Sequence, residues 1–313
     1  MSNKISIIGA GSVGATIAYT MAVDSIASEI VMVDINEAKA RGEAMDILQA
    51  TAYGNPITIN YGGYPDIEGS DIVIITSGVG RKPGQTRIDL AQVNVNILKQ
   101  ITPELVKYAP DAMFIIVANP VDILTYTFIK LSGIPETQII GSGTMLDTAR
   151  LRSYISEHYG MAQKNVHAYV FGEHGDSSFI PWSRAEISGA SLDVFEKSDI
   201  YKSFEKIDKE DALEYVQKSG GKIIADKGAT FYGVAVSVCR LCQAILSPYD
   251  SVAAVSSMMH GEYGIEDVCL SVLNVIGPDG FKGRLEAPLT DEEVEKLRHS
   301  ADVLKGVIKS LDI

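Results

Sequence analysis

A histidine set between glycines at the end of an apolar run is the first candidate for chemistry in this chain. Gly172-Glu173-His174-Gly175-Asp176 follows the apolar stretch 165–171, and the flanking glycines give the backbone freedom to aim an imidazole. Imidazole moves protons near neutral pH. Asp147 and Arg150 stand three residues apart in a helical stretch and so share one face. A carboxylate beside an imidazole fixes its tautomer and stabilises the protonated ring. The segment 78–87, GVGRKPGQTR, carries glycines, Pro83 and the guanidinium groups of Arg81 and Arg87, a composition suited to a loop that swings and closes. Singly, each has a plainer reading: a hydrogen-bonded strand-end histidine, a helix ion pair worth about 0.2–0.5 kcal/mol, solvated loop charges.

The elements that must position these groups begin with KISIIGAGSVG at 4–14. Ile5, Ile7 and Ile8 read as a buried strand that breaks into Gly9-Ala10-Gly11-Ser12-Val13-Gly14 and then a helix. Gly9 allows the tight turn, Gly11 leaves room for a pyrophosphate, and Gly14 lets helix and strand close up. Free N–H groups at the helix start, from Ser12 and Val13 onward, suit phosphate. A second apolar strand at 29–33 ends in Asp34, twenty residues beyond Gly14, where a ribose 2′-hydroxyl would be gripped. The acid favours NAD over NADP. Further strands at 57–61, 71–76 and 113–117 alternate with helices at 37–50, 89–108 and 121–131. This is the pattern of an α/β, doubly wound parallel-sheet NAD domain, with its crevice at the strand ends where Ser77, Gly78 and Asn119 lie.

The second half changes character, toward an α+β substrate domain. We expect a helix at 144–159, strands at 165–171 and 182–187, helices near 202–218 and 222–246, and antiparallel strands at 252–259 and 267–275. Thr290 and Glu293 form a capping box for a final helix with Val294, Leu297, Ala301, Leu304 and Ile308 on one face. The boundaries drawn are 1–142 for the nucleotide domain and 143–313 for the catalytic domain.

A formal charge of −13 with no dense Lys/Arg run argues against a nucleic-acid surface, so an anionic substrate needs local arginines. Cys239, Cys242 and Cys269 do not form a disulfide framework, and no metal-ligand spacing stands out. The first strand begins at once and no apolar run is long enough to span a bilayer, so the expected compartment is the cytoplasm.

From end to end the chain resembles the NAD-dependent lactate and malate dehydrogenase family. The glycine fingerprint is followed by ANPVDILT at 118–125, GSGTMLDTAR at 141–150, FGEHGD at 171–176 and KGATFYG at 227–233. The resemblance implies His174 as proton donor and acceptor, Asp147 as its partner, and Arg150 as a bidentate clamp on the substrate carboxylate. It further implies Arg87 as the group that polarises the reacting carbonyl, Asn119 as a residue orienting nicotinamide and substrate, and a homo-oligomer, dimer or tetramer. A fold retained for NAD sensing without turnover is the remote alternative.

Substrate choice turns on Arg81, which the resemblance places opposite the substrate side chain, where lactate enzymes typically carry Gln and malate enzymes Arg. Stranding a buried charge costs about 3–5 kcal/mol, and a charge-assisted hydrogen bond contributes roughly 1.5–3 kcal/mol. Glu173, Trp182-Ser183 and Thr230 resemble lactate dehydrogenases, but size alone at Thr230 is worth only about 1–3 kcal/mol. The expectation is therefore L-malate dehydrogenase, with L-lactate dehydrogenase the alternative. Arg152 and Arg184 match positions at which bacterial lactate dehydrogenases bind fructose 1,6-bisphosphate, and so form a candidate anion effector site.

Overall fold

Runs of β-branched residues make the strands of the first half apolar on both faces, and the computed structural model, which describes residues 3–80 and 86–313, covers both faces with helices. The first half runs β1 (Lys4–Ile8), α1 (Ser12–Val23), β2 (Glu29–Val33), α2 (Glu37–Ala50), β3 (Thr58–Gly62), β4 (Ile72–Ile75), α3 (Arg87–Tyr108), β5 (Met113–Ile116), α4 (Val121–Ser132) and β6 (Ile139–Gly141). The second runs α5 (Met145–Tyr159), β7 (Val166–His167), β8 (Glu186–Ile187), β9 (Ala190–Ser191), α6 (Leu192–Glu196), α7 (Lys209–Lys227), α8 (Tyr232–Leu246), β10 (Ser251–His260), β11 (Glu266–Gly277), β12 (Gly280–Arg284) and α9 (Asp291–Ile308).

Among the described residues the main sheet has the order β12-β11-β10-β6-β5-β4-β1-β2-β3. From β3 to β6 every pairing is parallel, and the order reverses between β1 and β4, which opens the crevice at their C-terminal ends. Alternate strand residues face opposite cores: Ile72, Ile74 and Ile115 pack with α1 and α8, whereas Val73, Ile75, Phe114 and Ile116 pack with α3, α4 and α9. β10 joins β6 antiparallel, Ser256 opposite Gly141, so the sheet continues into the second half. A smaller sheet, β7-β8-β9, packs with α5, α6 and α7 around Leu151, Tyr159, Val170 and Phe195.

Three expected elements come out differently, and one strand was not expected. The strand expected at 165–171 pairs only at Val166–His167, because the chain then crosses from the small sheet toward the large one. Side chains take over its backbone bonds: Arg152 Nε donates to the Ala168 carbonyl, Thr144 Oγ1 to the Val170 carbonyl, and the Val170 N–H to Thr148 Oγ1. The stretch 182–187 is a 3-10 turn at Trp182–Arg184 followed by β8. No helix starts at 202; Asp208 caps α7 by accepting from the Glu210 and Asp211 N–H groups, and Gly228, in the left-handed region, ends it. Beyond the turn after β11 a third antiparallel strand, β12, was missed. The capping box of Thr290 and Glu293 forms as expected. Among the described residues no helix is long and apolar enough to cross a membrane.

Candidate active site

The crevice begins at the glycine turn. Gly9 sits at φ +112°, where a Cβ would come within 2.9 Å of the Ser77 nitrogen, and a Cβ on Gly14 would lie 1.9 Å from the Gly9 carbonyl. Helix α1 therefore presses against β1 only because both residues lack side chains. Gly11 has nothing within 4 Å of its Cβ direction, and no side chain caps the helix there, so the start of α1 at Gly11 and exposed Ser12 is open, while half-buried Val13 packs against the core. Asp34 cinches the turn: Oδ2 accepts from the Ala10 N–H at 2.6 Å and Oδ1 from the Asn36 N–H at 2.8 Å. The spare lone pairs of that half-buried carboxylate remain for ribose hydroxyls. Ser77 Oγ donates to the Ile8 carbonyl, which holds Ser77 and the start of the loop after β4 directly beside the turn.

Asn94 binds the far wall together, and sequence reasoning missed it. Buried on α3, it accepts from the Val79 N–H (2.9 Å) and donates to the Val79 carbonyl (3.1 Å) and the Asn119 carbonyl (2.6 Å). The loop after β4 is thereby fixed to Asn119, whose side chain stays exposed at the entry to α4. The available signal was an amide among the buried positions Ala91, Val95 and Leu98 of an amphipathic helix.

His174 is brought in by a clamped segment. Gly172 makes a two-way bridge to Ser271 of β11, and its φ of +91° and the Ser300 hydroxyl 2.6 Å from a would-be Cβ exclude a larger residue. The Glu173 N–H donates to Ser300 Oγ and the His174 N–H to Asp122 Oδ2, at 2.7 and 2.8 Å. The ring Nδ1 then meets Asp147 Oδ2 at 2.5 Å, while Arg150 Nη1 donates to Asp147 Oδ1 at 2.9 Å. These three residues form one chain on the inner face of α5. Gly220 of α7 leaves room for it, since a Cβ there would stand 3.3 Å from Arg150 Nη2.

The charge pattern favours a protonated ring. The Asp147 carboxylate, against the opposing effect of burial, raises His174 to about 8. Burial pushes Asp147 up, but the His174 and Arg150 charges outweigh it and hold the carboxyl below its ordinary range. Nδ1 is engaged, so Nε2 is the ring nitrogen free to exchange a proton with a bound substrate; the side chain is 25% exposed.

Arg87, the first residue of α3, reaches the same place. Its guanidinium bonds Glu173 Oε1 at 2.5 Å and Asp176 Oδ2 at 3.2 Å, the residues on either side of the His174-Gly175 pair. Thr230 lies half-buried between α7 and α8. Arg152 stacks over Tyr169 while bonding the Ala168 carbonyl, and Arg184 pairs with Glu186 at 3.5 Å. Arg81, on which the expected substrate turns, lies outside the described residues.

A glycine-turn crevice with a carboxylate-paired histidine and arginines is the arrangement expected of a dehydrogenase acting on a small anion. The lactate/malate dehydrogenase NAD binding domain matches residues 3–141, and the family's alpha/beta C-terminal domain matches residues 144–312. L-lactate dehydrogenase of Acetivibrio thermocellus is 46% identical over 99% of this chain and 98% of its own length; that of Clostridium perfringens is 46% identical over 100% and 98%. The ligands-bound structure of minor L-lactate dehydrogenase from Enterococcus mundtii has a TM-score of 0.94 at 35% identity, covering 100% of this chain and 99% of that one. The chain belongs to the lactate/malate dehydrogenase family. It is an NAD-dependent oxidoreductase acting on a CH–OH group.

Proposed function

We propose that the protein is an L-lactate dehydrogenase interconverting pyruvate and L-lactate, with His174 as its acid–base group. The hydrogen-bonded chain His174–Asp147–Arg150 at the mouth of the nucleotide crevice carries the chemistry. The substrate rests on relatives named L-lactate dehydrogenase that match the chain along its whole length, whereas the expected malate enzyme finds no support among them. Gly9, Gly11, Gly14 and Asp34 would hold NAD, whose nicotinamide would supply or accept the hydride. Arg150 holds the substrate carboxylate with the guanidinium nitrogen not committed to Asp147. Arg87, released from Glu173, polarises the carbonyl, and Asn119 orients the reactants. His174 Nε2 gives its proton to the carbonyl oxygen as the carbon is reduced, and Asp147 stabilises the ring while it is charged.

The identity of residue 81 favours a second reading, L-malate dehydrogenase, because the family resemblance puts that arginine opposite the substrate side chain, where it would pair with a second carboxylate. Parallel kcat/KM values for pyruvate and oxaloacetate, on the wild type and on Arg81→Gln, separate the two. A lactate enzyme prefers pyruvate by at least about tenfold before any substitution. Preference for oxaloacetate that collapses in Arg81→Gln, by the roughly 10–150-fold that a charge-assisted bond represents, overturns the lactate reading.

The buried, free Cys239, Cys242 and Cys269 support a reducing compartment, the cytoplasm. We also infer a homo-oligomer. Helix α1 packs against α2 and α8, and the three expose Tyr19, Val23, Met45, Leu48, Tyr232 and Val236, apolar side chains that a second copy would cover. Arg152 and Arg184 remain a candidate anion site only in so far as an effector displaces Glu186 from Arg184.

A further inference from the structure

Two carboxylates hold His174, and only one of them belongs to the expected site. Asp147 grips the ring; Asp122, in the first turn of α4, grips the main chain. Asp122 is 2% exposed, its Oδ2 accepting the His174 N–H at 2.8 Å and its Oδ1 the hydroxyl of fully buried Ser256 at 2.6 Å. Ser256 lies on β10 opposite Gly141, and Asp122 stands three residues after Asn119. The carboxylate thus joins the crevice wall, the strand that carries the sheet into the second half, and the segment bearing the acid–base ring.

We propose that Asp122 is a positioning residue for the reaction: it fixes the His174 segment to the wall that carries Asn119 and sets the electrostatic field in which the imidazole works. An asparagine oxygen would accept the same N–H. What the carboxylate adds is a buried negative charge near the imidazole, favouring its protonated form as Asp147 does. Around Asp122 the titratable groups are His174, Glu173 and Cys269 of β11; around His174 they are Asp147, Arg150 and Asp122. Burial works against the charge on Asp122 and pushes its carboxyl to about 6, countered by the Ser256 hydroxyl and the His174 N–H. Kept for folding alone, such a charge is a poor choice.

The inference rests on reading His174 as the acid–base group. The test uses Asp122→Asn and Ser256→Ala in the full enzyme, reducing whichever 2-keto acid the wild type prefers, from about pH 6 to about pH 10. His174 is titrated in parallel by NMR of its imidazole without substrate. Asp122→Asn is expected to lose about tenfold in kcat/KM, chiefly in kcat, and to move both the alkaline limb and the NMR titration down by about half a pH unit, without a lower Tm. Ser256→Ala shifts both in the same direction and less. An unmoved limb and titration in Asp122→Asn overturn the proposal even if activity falls, and if that variant does not fold, an unmoved limb in Ser256→Ala does so. A wild-type limb that does not coincide with the His174 titration refutes the acid–base reading itself, independently of either variant.

Discussion

At the scale of the residue, the proposed reaction turns on the proton on His174. Reduction needs the ring protonated and oxidation needs it neutral. With the ring at about 8, reduction keeps its kcat/KM up to that pH and falls above it, while oxidation rises through the same range. Asp147→Asn removes the largest cause of the raised value, so the reduction limb should move to lower pH and kcat/KM should fall by about 10²–10⁴-fold, read from pH–rate profiles in both directions. A profile left in place by Asp147→Asn would mean that another group titrates. This triad was legible because a glycine-flanked histidine and an aspartate and arginine at helical spacing are local patterns. Asp122 and Asn94 were not, since their work depends on partners at Ser256, Val79 and Asn119 that only the fold brings near. Glu173 was read as a mark of kinship, yet its buried carboxylate also anchors Arg87.

At the scale of the element, the strand, turn and helix at 4–23 show glycines that act through different terms. Gly14→Ala forces a methyl into the Gly9 carbonyl, so helix and strand must part; a loss of about 1–3 kcal/mol in urea unfolding should accompany weaker NADH binding. Gly11→Ala meets nothing in the protein and should cost less than about 1 kcal/mol, yet if this turn is the expected pyrophosphate site its methyl would crowd the bound cofactor. NADH fluorescence titrations should then show a Kd at least about tenfold higher, by the roughly 1.4 kcal/mol that a crowded contact represents. Unchanged NADH affinity in Gly11→Ala would remove the pyrophosphate from that face. The parallel strands of the first half were readable because burial on both faces leaves continuous β-branched runs. The second half resisted where backbone bonds are made by side chains, as along 168–170, or where a strand as short as β8 carries no periodicity of its own.

At the scale of the whole molecule, the expected division at 142/143 does not divide the sheet. β10 extends the sheet past β6, and one core packs Val73, Phe114 and Phe128 with Val272, Leu297 and Leu304 across that point. The opposite face does the same, placing Ile17 and Met21 of α1 against Val238 and Leu241 of α8. Neither half can lose its structure without exposing apolar surface of the other, so thermal or urea unfolding should be one transition by fluorescence and circular dichroism alike. The family's NAD binding domain matches only the first half, yet NADH at about 100 times its Kd should stabilise the whole transition by about 2.7 kcal/mol. If the apolar surface of α1, α2 and α8 is covered by another copy, the midpoint should also rise with protein concentration, as it must when folding and association are linked. Two separate transitions, with NADH moving only the first, would show that the halves are independent. A single midpoint that ignores concentration would show a chain folded alone, and would leave that surface without a role in assembly.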